Sequence, residues 1–375
     1  MKQILITLLI LTLSAGLCLF EPCYALDTSA KAAIIMDVNT DRVLYSKNIQ
    51  MKLPMASTTK IMTTLVAIES GKLDDKVKVS RRASNTEGSS IYLKEGEQLT
   101  IEELLYGVML RSGNDAAVAV AEYVGGTEAK FVEMMNMKAK EIGAVNTCFA
   151  NPHGLDHKNH YTTAYDLALI TSYALKNPKF KEIVSTRRKT IEGPPGVNWD
   201  RALLNKNKML WEYEGGDGVK TGYTKKAGRC LVSSATKDNW QLVCVVLNCG
   251  PMWNESSALL DYAFTSYENT KVVDAENTIQ KVEVKRGKKK AASVIPVNDF
   301  SIPLKEEEKS KVKIIPEYNS NNTAPISSGV VAGQLKVYLD EKLIGRVELK
   351  YAENIESSDP IYYINRILEQ VLSTN

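Results

Sequence analysis

Ser57 and Lys60, in the stretch LPMASTTKIMTTLVAIE (residues 53–69), stand three residues apart at the head of an apolar run. On a helix that separation puts both side chains on one face about one turn apart, so the Lys60 amine can hydrogen-bond the Ser57 hydroxyl. A lysine accepts a proton only when neutral, and desolvation or a nearby positive charge lowers its pKa toward that state. The chemistry in view is nucleophilic attack by a serine whose proton passes to a buried amine. The plainer alternative is a lysine whose stem lies along apolar surface while its charge reaches water, and spacing alone does not separate the two. A second match, Ser234 to Lys237, falls at the end of a strand-like run before a turn, where a three-residue separation does not align side chains.

Two further clusters bear on the choice. Ser112-Gly113-Asn114 lies between two helix-like segments, where a hydroxyl and an amide can project into a cleft; the similar Ser320 to Asn322 triplet sits in a polar linker. Lys220-Thr221-Gly222 occurs once, on a strand-like run, with a glycine expected to let a substrate backbone lie against a sheet edge. In chain order these give Ser-x-x-Lys, Ser-x-Asn and Lys-Thr-Gly, the set found in penicillin-binding proteins and class A β-lactamases. His153, His157 and His160 share one loop, NPHGLDHKNHY, which lacks a helical frame for metal ligands. No G-x-S-x-G elbow surrounds a serine, so a Ser-His-Asp triad is disfavoured.

The elements that must hold these residues follow from pattern. AAIIMDVNTDRVLYSKN (32–48) reads as a hairpin around a VNTD turn, and residues 57–70 as a helix. Thr100 with Glu103 forms a capping box before IEELLYGVMLRSG, and DAAVAVAEYVGG ends in paired glycines as helices do. TEAKFVEMMNMKAKEIG and TAYDLALITSYALKN continue the helical period. GVKTGYT, GRCLVSSAT and WQLVCVVLN are strand-like, with a TKDN turn between the last two, and ESSALLDYAFTSY returns to helix. Strands at both ends with helices between predict an α/β (α+β) fold: one antiparallel sheet covered by helices, with an inserted helical lobe.

After about residue 270 the helical period is lost. KVEVKRGKKKAASVIPV, KVKIIPEY and the hairpin-like QLKVYLDEKLIGRVELKY predict a small all-β domain, with KRGKKK read as a solvated loop in preference to a contact for an anionic surface. The tail DPIYYINRILEQVLSTN places Ile361, Ile364, Ile367 or Leu368, and Val371 on one helical face. Such a helix lies on a membrane surface or docks on its own protein, and the basic residues that favour the former are few. The division expected is a signal peptide at 1–25, a catalytic domain at 26–268, a β-rich domain at 269–351 and a C-terminal amphipathic helix at 352–375.

The leader MKQILITLLILTLSAGLCLFEPCYA, with an early lysine, an apolar stretch and a small-residue stop, implies export to an extracytoplasmic site at the membrane or wall. An uncleaved anchor is the alternative, but the run from Ile4 to Phe20 is barely long enough to span hydrocarbon. Neither Cys18 nor Cys23 has the preceding residues of a lipoprotein cut. Charge is balanced, 47 basic against 44 acidic residues, so no nucleic acid is expected as a partner. Cys148, Cys230, Cys244 and Cys249 fit disulfides or buried thiols equally well.

MASTTKIMTTLVAIE, SGNDAAVAVAEYVGG, NPHGLDHKNHYTTAYDLALI and GVKTGYTKKAGRCLVSSAT together resemble the D-alanyl-D-alanine carboxypeptidases, the low-molecular-mass penicillin-binding proteins of the serine peptidase type. The likeness spans residues 27–268, and the β-rich segment is similar to the membrane-proximal domain of such enzymes. It implies a β-lactamase/transpeptidase-like fold and cleavage of the terminal D-alanine from peptidoglycan stem peptides, without a cofactor or metal, with β-lactam antibiotics as covalent inhibitors. By motif it implies Ser57 as acylated nucleophile, Lys60 as its base and Ser112 as proton relay to the leaving group. Asn114 would hold a substrate amide, and Lys220 with Thr221 the terminal carboxylate beside Gly222. The backbone N–H groups of Ser57 and Tyr223 would form the oxyanion hole.

One departure stands out: where family members often carry a carboxylate-binding arginine, CGPMWNESS (249–257) has none. A class A β-lactamase is the rival enzyme, but its Glu-x-x-Leu-Asn motif is missing between Asn114 and Lys220. A non-catalytic wall-binding or scaffolding protein on the same fold is the rival of another class. The acceptor, water or the amine of a transpeptidase, is not legible from these residues.

Overall fold

A computed structural model describes residues 27–194, 196–277 and 280–373; the expected signal peptide lies outside the described residues. The chain opens with the antiparallel pair β1 (Ala32–Asp37) and β2 (Val43–Lys47). A helical lobe follows: α1 (Lys60–Glu69), the short pair β3 (Lys76–Lys78) and β4 (Gln98–Thr100), then α2 (Ile101–Leu110), α3 (Asn114–Gly125), α4 (Glu128–Ile142), α5 (Ala164–Leu175) and α6 (Pro178–Ser185). A second short pair, β5 (Arg188–Ile191) and β6 (Arg201–Leu204), leads to β7 (Gly216–Thr224), β8 (Gly228–Lys237), β9 (Trp240–Leu247) and α7 (Met252–Ser266). The main sheet is antiparallel in the order β2-β1-β9-β8-β7, so the two ends of the catalytic domain share one sheet and β7 is its edge.

The period-2 rule explains why β1 and β9 read as unbroken apolar runs. Alternate residues face opposite sides, and here both sides are covered. Ile34, Met36, Val243 and Val245 join a core with α1 and α5, while Ile35, Leu242, Cys244 and Val246 join another with Leu259, Leu260 and Ala263 of α7. Local signals hold as well. Thr100 and Glu103 cap α2 reciprocally, Glu103 N donating to Thr100 Oγ1 (3.1 Å) and Thr100 N to Glu103 Oε2 (2.8 Å), an arrangement worth about 1 kcal/mol. Asp238 and Asn239, both at positive φ, make the tight turn between β8 and β9. The pairs β3–β4 and β5–β6 escape sequence reading because they are three or four residues long, too short for a period to show.

The β-rich region begins with β10 (Glu268–Val273), which pairs with β13 (Phe300–Leu304). Its own sheet runs β11 (Gln280–Glu283), β12 (Ala291–Pro296), β16 (Lys342–Tyr351), β15 (Val331–Leu339), β14 (Val312–Tyr318), around Val294, Leu335, Val337 and Leu349. Ile355 belongs to the same core, and Ser357 bridges to Gly287. Arg42 ties this region to the β1–β2 hairpin through the Pro303 carbonyl and the Glu308 carboxylate. In the KRGKKK run, Lys288 and Lys289 pair with Glu356 and Glu353. The four described cysteines are free thiols.

The last helix, α8 (Pro360–Ser373), leaves Ile361, Ile364, Leu368 and Leu372 more than half exposed; the side chains of Ile367 and Val371 lie outside the described residues. Among the described residues no helix is long and apolar enough to cross a membrane.

Candidate active site

Ser57 lies in a 3₁₀ turn (Ala56–Thr59) that runs directly into α1, so the motif straddles a junction, and the helix itself starts at Lys60. Ala56 adopts φ +49°, a conformation that costs an L-residue about 1–2 kcal/mol and swings the next side chain outward. The surroundings hold that turn in place. A Cβ on Gly154 (φ +93°) would collide with the Ala56 carbonyl, and one on Gly222 would lie 3.0 Å from Met55 O and from Ser57 N. Gly222 is therefore needed for the nucleophile's turn to pack on β7. Gly222 also lines the open cleft.

Lys60 is completely buried. Its Nζ lies 3.1 Å from Ser57 Oγ, 2.7 Å from Asn114 Oδ1 and 2.5 Å from the His153 carbonyl oxygen. Burial holds its pKa well below the usual lysine range, and the charges of Lys220 and Lys206 push it further down against the opposing Asp115. A neutral amine has two N–H donors and one lone pair. Asn114 and His153 take the two donors, which leaves the lone pair facing the Ser57 hydroxyl.

Ser112 stands across the cleft between α2 and α3 at φ +65°, a second strained residue beside the nucleophile. Asn114 is enclosed and tied to two neighbours. Both ends of its amide are engaged, Oδ1 by Lys60 and Nδ2 by the Glu87 carbonyl at 2.6 Å, and it is 3% exposed. Its Oδ1 orients the lysine, and the second N–H of Nδ2 has no partner among the described residues to keep it from a ligand amide. Lys220 is enclosed as well. It is 2% exposed, its Nζ donates to the Thr221 carbonyl (2.9 Å), and burial, then Lys206, lowers its pKa to about 7. A group so enclosed acts on Lys60 from behind and does not present its charge at the surface.

The open cleft, about 390 Å³, is lined by Ser57, Ser112, Thr221, Gly222 and Tyr223 from the motifs. Sequence reading missed Ser89, Lys206, Arg229, Met252 and Trp253, which complete it. Of these only Arg229 left a trace in the sequence: the short TKKAG connection after Lys-Thr-Gly folds β8 back so that Arg229 pairs with Tyr223.

The histidine loop is structural. His160 Nδ1 accepts from Ala150 N (2.9 Å), so its Nε2 carries the proton and donates to Thr59 Oγ1 (2.7 Å), whose own hydroxyl donates to the Ala56 carbonyl (2.8 Å). Burial lowers the pKa of His160 to about 4 and of His153 to about 3, the latter helped by Lys60. Among the described residues no group of three metal-binding side chains converges. The second Ser-x-x-Lys match lies on β8, with Ser234 bound to Asp217.

The sequence model of the D-alanyl-D-alanine carboxypeptidase peptidases matches residues 21–250, and that of the penicillin-binding protein 5 C-terminal domain matches residues 267–357. The chain is 36% identical over 349 residues to D-alanyl-D-alanine carboxypeptidase DacF of Bacillus subtilis, covering 90% of this chain and 89% of the relative. It is 34% identical to DacC of Escherichia coli, over 87% of this chain and 84% of that one. Among solved structures, penicillin-binding protein 5 of Haemophilus influenzae aligns with a TM-score of 0.72 at 31% identity, over 88% of this chain and 98% of that one. PBP3 of Streptococcus pneumoniae, described as a peptidoglycan synthesis regulatory factor, aligns at 0.79 and 26% identity, over 88% and 100%.

Proposed function

Since the chain belongs to the D-alanyl-D-alanine carboxypeptidase family of serine peptidases, we propose that Ser57 is its acylated nucleophile and Lys60 the base that activates it. The protein is a serine-type D-alanyl-D-alanine carboxypeptidase of the penicillin-binding kind, working outside the cytoplasm on peptidoglycan peptides through an acyl-enzyme. In the proposed sequence, Ser57 Oγ attacks the carbonyl between the two D-alanines as its proton moves to Lys60 Nζ. The oxyanion is held by the backbone N–H groups of Ser57 and Tyr223. Ser112 relays the proton to the departing D-alanine nitrogen, and water then hydrolyses the ester. Asn114 and Lys220 act on Lys60, the first by fixing its direction and the second by keeping it neutral, while Thr221 faces the substrate.

The single observation that carries this reading is the buried Lys60 amine, 3.1 Å from Ser57 Oγ with its other donors engaged. Among the described residues lining the cleft there is no carboxylate to activate a deacylating water, which supports a long-lived penicilloyl adduct and weighs against a β-lactamase. Incubating the protein without residues 1–25 with a fluorescent penicillin, followed by peptide mass mapping, is expected to give a stable label on Ser57. Label elsewhere, no label, or label lost within seconds would overturn the assignment.

The proposed division of labour gives residues 26–268 the chemistry, 269–351 a spacer role and 352–375 an attachment. The exposed face Ile361, Ile364, Leu368, Leu372 of α8 supports a helix lying in a membrane interface. Sedimentation of the protein with anionic phospholipid vesicles is expected, and Leu368→Glu should release it; equal sedimentation of both would refute the contact.

A further inference from the structure

The cleft is lined by two cations and, among the described residues, no Asp or Glu. Such a lining selects for a negatively charged ligand. The buried Lys220 does not supply that charge, its Nζ being turned onto the Thr221 carbonyl. Resting on the function proposed above, we propose that Arg229 receives the terminal carboxylate of the substrate, with the Thr221 hydroxyl as second donor.

Four observations support it. Arg229 on β8 is the cross-strand partner of Tyr223 on β7, and Leu231 the partner of Thr221. Thr221, Tyr223 and Arg229 therefore project from the same face of the sheet at its open edge. Directly opposed Cβ atoms lie about 4.5–5.5 Å apart and diagonal ones about 7–8 Å, so a guanidinium on its three-carbon stem reaches the space above Thr221. Arg229 is exposed, and its side chain has no hydrogen-bond or ion-pair partner among the described residues, so its five donors are uncommitted. Met252 and Trp253 line the same cleft as Arg229 and add apolar surface to a site where a bidentate arginine–carboxylate pair can form.

Lys206, the other cation, is differently placed. Its backbone N–H binds the Leu110 carbonyl at the end of α2, on the Ser112 wall of the cleft, and its charge helps depress Lys60 and Lys220. Arg229 stands on the sheet wall and is not among the groups that shift either lysine. One cation tunes the base, and the other addresses the ligand.

The test compares the intact protein with Arg229→Ala, Arg229→Gln and Arg229→Lys on a peptide ending in D-Ala-D-Ala as the free acid and as the C-terminal amide. Loss of a charged hydrogen-bond pair is expected to lower kcat/KM for the acid about 10–100-fold in the Ala and Gln variants. The amide should change about twofold or less, and Lys should restore part of the loss. Unchanged melting temperatures, read in parallel, tie the loss to recognition. An acid-to-amide ratio unaltered in both the Ala and Gln variants, or a loss that appears only in Lys206→Ala, would overturn the proposal. Penicillin labelling of wild-type Ser57 separates the two levels. If Ser57 is labelled and the ratio does not move, Arg229 alone is refuted; if Ser57 is not labelled, the function itself fails and Arg229 falls with it.

Discussion

The Ser-x-x-Lys pattern of Ser57–Lys60 recurs at Ser234–Lys237, and the two copies are folded differently. At Ser57–Lys60 the backbone is coiled, both side chains point into one space and the lysine is sealed from water with its amine on the serine. At Ser234–Lys237 the backbone is extended, so residues three apart face opposite sides. Ser234 donates inward to Asp217, while the Lys237 ammonium lies 5.1 Å over the Tyr213 ring and 5.2 Å over that of Phe264. Both lysines touch a good partner, but only the first is desolvated without a counter-ion in contact. That is what makes it a base.

The contrast is broken most directly at the serines. Ser57→Ala should remove penicillin acylation and lower turnover by roughly 10⁶-fold. Ser234→Ala should leave both within about twofold and cost about 1 kcal/mol of stability through one lost buried hydrogen bond, read by chemical denaturation. Comparable losses in the two variants would show that the second copy had been misjudged.

At the lysines the effect is smaller. Lys60→Met should slow acylation about 10²–10⁴-fold, the range of a lost general base, with the fold retained by circular dichroism. Lys237→Met should leave the acylation rate unchanged and lose at most about 1 kcal/mol from its aromatic contacts. An acylation defect in Lys237→Met would contradict the assignment.

The smallest effect sharpens the comparison through pH. His160 braces the first motif, and no histidine touches the second. Its folded pKa, about 4, and that of His153, about 3, lie below the ordinary value near 6.5. Between these limits the unfolded chain binds protons that the folded chain does not, so stability is full above about pH 6.5 and falls as pH drops toward 4. A total of a few kcal/mol follows. Melting curves of wild type and His160→Gln should converge as pH falls from 7 to 4; a constant gap would show that folding does not shift the His160 pKa.

Much of the site could be read in the sequence because its parts are local. The Ser57–Lys60 spacing, the Ser112 turn between two capped helices and the single Lys-Thr-Gly are each decided within a few residues. The hairpin, the capping box and the Asp238-Asn239 turn were legible for the same reason. The enclosure of Asn114 and Lys220 was not legible, since burial and partner choice are not local quantities. Asn114 Oδ1 accepts from Lys60 and its Nδ2 donates to the Glu87 carbonyl, partners distant in sequence. Arg229 was passed over entirely, because its meaning lies in a strand register.

The sequence by itself determined which motifs are present and in what order they come, along with the unbroken apolar runs of β1 and β9. Tertiary structure decided the protonation of those groups and who faces the ligand. A pKa depends on the solvent a fold excludes and on charges brought close by chain segments far apart in sequence, such as Lys206 and Lys220 beside Lys60. The facing wall depends on antiparallel pairing at the open sheet edge, where β8 carries Arg229 back beside Tyr223.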